Sequence, residues 1–68
     1  MNAIQAQIFN SRQTLVNRGL MHPLDAFINL EVFIPRFPFS GIVQEVIIKD
    51  NQSFFKILDE QDIIQIVP

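Results

Sequence analysis

Between Ser40 and Pro68, apolar and polar residues alternate in three short blocks rich in Ile, Val and Phe. The blocks are broken at Lys49-Asp50-Asn51-Gln52 and at Asp59-Glu60-Gln61-Asp62. Period two over such short runs predicts strands, and the polar breaks predict turns, so the stretch reads as a β-meander. In the first block Ile42, Val46 and Ile48 alternate with Val43, Glu45, Ile47 and Lys49, and Gln44 interrupts the series. Both sides are apolar, which predicts a central, strongly bent strand. Asp50-Asn51-Gln52 forms the hairpin turn, because Asn and Asp tolerate the positive φ that such turns require. Ser53 to Leu58 places Phe55 and Ile57 opposite Phe54, Lys56 and Leu58. Asp62 to Val67 places Ile64 and Ile66 opposite Ile63, Gln65 and Val67, and Pro68 ends it.

Upstream the period changes. Residues 2–19 read as a helix capped by Asn2, with Ile4, Ile8, Leu15 and Ser11 on one face and Phe9 and Val16 beside them. Gly19 can adopt the left-handed conformation that ends a helix, and Pro23 stops it from running on. The stripe is expected to cover the open side of a barrel; an exposed helix that meets a partner is the alternative. Met21 to Asp25 is a connector, and His22 within it reads as a turn residue rather than a catalyst. Ala26 to Ile34 alternates Ile28, Leu30, Val32 and Ile34 with Asn29, Glu31 and Phe33, which favours a strand over a helix. Pro35 to Ser40 is an extended loop, since Pro35 and Pro38 cannot donate to a ladder. Phe37 and Phe39 plug one end of a barrel, or form with Arg36 an exposed aromatic anchor of the type found at interface hot spots, or stack on bases, a third reading that needs cations, of which the chain has few.

Sixty-eight residues make one domain, 1–68, with the helix over 2–19 and the β region over 26–68. So small a core supplies only about 3–5 kcal/mol, and such chains usually need a disulfide, a metal or a partner. There is no Cys and a single His, which removes disulfides, thiolate sites and His-pair metal sites. Meanwhile 49% of the residues are hydrophobic, with seven Phe, and 18% are charged. That balance opposes disorder. It implies instead that part of the apolar surface is covered by another copy or another protein.

The net charge is −2, and Arg12, Arg18, Arg36, Lys49 and Lys56 are spread along the chain. Nucleic-acid affinity comes from clustered cations, so this distribution argues against it. An alternative that brings Arg36, Lys49 and Lys56 together on the sheet stays open. The first residues carry no basic segment followed by an apolar run, and no run approaches the roughly 20 residues that cross a bilayer. A cytoplasmic location is expected, with no membrane contact.

A strand of the form x-Val32-x-Ile34, a Pro-containing loop, Gly41-x-Val43-x-x-Val46, a hairpin, an aromatic-x-Ile strand at Phe55 and Ile57 and a final short strand together resemble a small SH3-like barrel. The resemblance covers Asn29 to Pro68 and implies a mainly β fold: one N-terminal helix with a four- to five-stranded antiparallel barrel or meander. Tudor and KOW modules share that outline. The Tudor aromatic cage would need Tyr or Trp, which this chain lacks, and Glu45 stands where KOW modules carry basic residues. Ile64-Gln65-Ile66-Val67-Pro68 is also similar to the Val-Gln-Ile-Tyr-Pro stretch of the type II dihydrofolate reductases, which are tetrameric SH3-like barrels. That resemblance implies that Gln65 and Ile66 face folate and nicotinamide. Val67 replaces the tyrosine, Phe39-Ser40 replaces the tryptophan ahead of the glycine, and Ile34 stands where a lysine is expected.

Other chemistry is sparse. Ser11, Ser40 and Ser53 have no positioned base, and neither glycine forms a phosphate-cradling loop. Asp59, Glu60 and Asp62 read as an exposed acidic turn rather than a hard-cation site. The leading expectation is therefore a non-enzymatic interaction or assembly module without a cofactor or small-molecule substrate. It would act as an oligomer or as a subunit of a larger complex, such as an accessory protein of a phage, plasmid or bacterium. The candidate contact residues are Arg36, Phe37 and Phe39 in the loop, with Ile63, Gln65 and Val67 along the last strand, whose apolar edge invites pairing.

Overall fold

The structure is a computed structural model that describes residues 2–68. Helix α1 spans Ala3–Asn17, and a 3-10 helix spans Pro23–Phe27. Four strands follow: β1 Glu31–Ile34, β2 Phe39–Lys49, β3 Gln52–Asp59 and β4 Ile64–Val67. They form one antiparallel sheet in the order β1-β2-β3-β4, the meander expected from the alternation. The sheet is open, and β1 and β4 are its edges.

Local chemistry explains each junction. The Asn2 side chain accepts from the Gln5 backbone N–H at 2.8 Å and caps α1. At the other end Gly19 has φ +73°, and the N–H groups of Gly19 and Leu20 donate to the carbonyls of Val16 and Leu15. That pair of bonds is the left-handed closure expected there. Asp50 and Asn51 both have positive φ, which makes a two-residue hairpin of primed type with Lys49 opposite Gln52. Between Val43 and Glu45 the β2–β3 register shifts, so Gln44 is the extra residue of a β-bulge. The interruption in the alternation is thus a bend in the strand. Gly41 is buried here, and a Cβ on it would lie 2.5 Å from both the Ile57 side chain and the Leu58 carbonyl oxygen. Only glycine lets β2 and β3 approach this closely.

Two expectations need correction. Ala26 to Ile34 is not one strand: the His22 Nδ1 accepts from the Leu24 N–H at 3.1 Å, capping the 3-10 helix that Pro23 opens. Asn29 then turns the chain with φ +66°, leaving only Glu31–Ile34 for β1. The alternation still tells which residues are covered. Ile28, Leu30, Val32 and Ile34 are half-buried or buried, while Asn29, Glu31 and Phe33 are exposed. The second correction is the rotation of α1. Its packed side carries Phe9, Arg12 and Val16, roughly 100° round the helix from Ile4, Ile8 and Leu15, which stay exposed. Two contacts fix that rotation. The Phe9 ring lies 5.0 Å from that of Phe27, and the Arg12 guanidinium donates to the carbonyls of Ala26 and Ile28.

The core lies on one face of the sheet. Val43, Ile57 and Val67 are buried there, with Phe27, Ile28, Val32, Ile34, Phe39 and Phe55 packed on them. The Phe27 ring stands edge-on to Phe55 at 5.7 Å, so the 3-10 segment covers the sheet and α1 packs on that segment in turn. No helix among the described residues is long and apolar enough to cross a membrane.

Candidate interaction surface

The register settles which side chains share the second face of the sheet. Ile42 pairs with Leu58, and Leu58 pairs with Ile64, giving an apolar row across three strands. The next row is Glu45, Lys56 and Ile66, and beyond it Ile47 pairs with Phe54. Among the described residues no segment covers this outer face. Ile42, Ile64, Ile66 and Phe33 keep 40%, 45%, 53% and 61% of their surface exposed, and Ile47, Phe54 and Leu58 are half-buried. Scattered apolar residues are ordinary on a protein surface, whereas these lie next to one another across the strands. In its middle the Lys56 ammonium stands 4.0 Å from the Glu45 carboxylate. This exposed pair adds at most about 1 kcal/mol to stability, but it sets where charge sits on an otherwise apolar face.

The residues singled out from the sequence divide between the two faces and the loop. Arg36 and Phe37 are exposed in the β1–β2 loop. Phe39 does not join them at the surface, since it packs on the core, although its ring lies 6.3 Å from that of Phe37. Along β4 the exposed pair is Ile64 and Ile66. Val67 is 4% exposed and belongs to the core, which removes it from any accessible edge. Gln65 faces inward beside it and is half-buried, while Ile63 is exposed in the preceding turn. Sequence alternation separated the two sets correctly and could not say which one the 3-10 segment would cover.

Gln65 has a structural task. Its amide donates to Asp59 Oδ2 at 3.0 Å, while Asp59 Oδ1 accepts from the N–H groups of Gln61 and Ile63. These bonds favour the ionised form: the Gln65 amide first and Ile63 next hold the carboxyl below its ordinary value of 3.8, against an opposing effect of burial that outweighs the Gln61 bond alone. The acidic turn is thus a bracket that fixes β4 against β3. Beside it a groove of about 480 Å³ is lined by Phe33, Pro38, Phe39, Ser40, Asp59, Glu60 and Gln61. Among the described residues no group of three His, Asp or Glu side chains could hold a metal ion.

Arg36, Lys49 and Lys56 are not brought together. Arg36 precedes β2 and Lys49 ends it, so an eleven-residue strand, on the order of 30 Å, separates them. Lys56 is engaged by Glu45.

Comparison with protein-family models, with curated proteins and with solved structures returned no match.

Proposed function

We propose that this chain is a non-enzymatic assembly module that works through protein–protein contacts. The observation that carries the reading is the outer face of the sheet, where Ile42, Ile64, Ile66 and Phe33 stand together uncovered. Removing such a surface from water yields roughly 25 cal/mol per Å², which a small core has reason to recruit. Arg36, Phe37 and Ile63 are exposed and serve as secondary contacts in this reading. The SH3-like outline fits it as an open relative of that barrel: a four-strand meander bent at Gln44, with its edges unjoined.

The nucleic-acid alternative loses support from the separation of Arg36 from Lys49 and the pairing of Lys56. The reductase alternative loses it from Val67, which lies in the core, and from Gln65, whose amide is held by Asp59. The test is binding of labelled duplex DNA and single-stranded RNA at low salt, by wild type and by the Arg36→Glu/Lys49→Glu/Lys56→Glu variant. The assembly reading expects no complex with either. A complex that weakens with added salt and with charge reversal would replace it with the nucleic-acid reading, because counterion release gives that signature.

A further inference from the structure

From the outer sheet face we infer a specific occupant: a second copy of this chain, packed face to face about a two-fold axis that runs along the strands between β2 and β3. The inference rests on the assembly reading and goes beyond it by naming the partner and the register.

The first argument is area. A monomeric protein of 7.9 kDa exposes about 4,400 Å² by the usual scaling of surface with mass, and this chain exposes 4943 Å². Its radius of gyration is 12.3 Å, where a domain of this length averages about 11 Å, and it is a slab of 34 × 34 × 18 Å. The excess surface is about 500 Å². Four strands about 4.8 Å apart, the longest about 33 Å, present on the order of 500 Å² on one face. Two such faces together bury about 1,000 Å², the threshold for a specific interface. The second copy therefore removes about as much surface as the isolated chain has in excess.

The second argument is charge. By register the outer face carries Glu31, Glu45, Lys49 and Lys56, two acids and two bases, although the chain as a whole carries −2. An acidic or basic partner would gain nothing over this face, whereas a face with its own charges in mirrored order can match itself. The proposed axis supplies that match for Glu45 and Lys56, while Glu31 and Lys49, towards the rim, fall over Ile64 and Gln52 of the other copy. Rotation about it keeps each row at its own height and exchanges β2 for β3, so Glu45 meets Lys56 of the other copy twice over. Ile42 then lies over Leu58 of the other copy, and Ile47 over Phe54. An axis along the charged row instead would place Glu45 on Glu45 and Lys56 on Lys56, which repulsion disfavours. The result is an eight-stranded sandwich with two sheets about 10 Å apart, a standard aligned packing.

Charge reversal tests both partner and register. Glu45→Lys alone and Lys56→Glu alone should each weaken the dimer about tenfold or more, read by sedimentation equilibrium, since each creates two like-charge contacts across the axis. Mixing the two variants should restore dimers to within a few-fold of wild-type affinity, because every crossing contact is again opposite in sign. Thermal unfolding of each variant at monomeric dilution checks that the fold persists. A wild-type chain that stays monomeric at millimolar concentration overturns the proposal. So does a dimer indifferent to both reversals, or a mixture that restores nothing. Each of these leaves the assembly reading standing, which fails only with the nucleic-acid result above.

Discussion

The two faces of the sheet are built from the same residues and end in different states. On β2 and β3, Val43 and Ile57 face inward and are fully buried, while Ile42 and Leu58, one residue away along the same strands, face outward. Ile42 keeps 40% of its surface. Side-chain chemistry does not separate them. What differs is what lies above: the 3-10 segment and its cap place Phe27 and Ile28 over the inner face, and among the described residues no second segment lies over the outer one. A sheet apolar on both sides with cover for one side is half of a sandwich. That asymmetry, rather than hydrophobicity as such, is the ground for the proposed partner.

The largest effect that sharpens the comparison comes from truncating the two faces in parallel. Ile57→Ala opens a cavity in the core and is expected to cost about 2–5 kcal/mol. A domain of this length has only about 3–10 kcal/mol in total, so much of the population should unfold in a urea titration. The same truncation outside, Ile42→Ala, should cost under about 1 kcal/mol in dilute monomer, and should appear instead as weaker association. Equal costs in dilute monomer would break the distinction between the faces. Next in size is Gly41→Ala. Its Cβ meets the Leu58 carbonyl as well as Ile57, and backbone cannot yield as a side chain does, so about 1–3 kcal/mol should be lost.

The smallest effect concerns the bracket that holds β4. Because the native Asp59 carboxyl is held below its ordinary value, its contribution is fully present above that value. It fades as pH falls through the lowered native one. Asp59→Asn should therefore lower the thermal midpoint at neutral pH and make it less sensitive to acid than in wild type. A variant that matches wild type at neutral pH would show that β4 is held by its ladder alone.

Legibility in the sequence followed the range of the forces involved. The cap at Asn2, the closure at Gly19, the Asp50-Asn51 hairpin and the irregularity at Gln44 are all set by neighbours within a few residues, and all could be read from the chain. The alternation through Ile28, Leu30, Val32 and Ile34 identified the covered side chains even where Asn29 prevents a strand. The rotation of α1 was not legible, because it depends on Arg12 reaching two carbonyls 14 and 16 residues away. For the same reason the sequence does not show which side of β4 is exposed. Ile64 and Gln65 alternate whichever face is covered, and the cover comes from residues 23–28. Phe37 and Phe39 looked equivalent in sequence and part company because β2 begins at Phe39.

If another molecule of the same chain covers the outer face in the proposed register, an isotope-filtered NOE experiment on a mixture of labelled and unlabelled protein detects it. The account predicts contacts between copies from Ile42 to Leu58 and from Ile47 to Phe54, in a species of about twice 7.9 kDa. A concentrated sample of mass 7.9 kDa, with those side chains silent between copies, would contradict it.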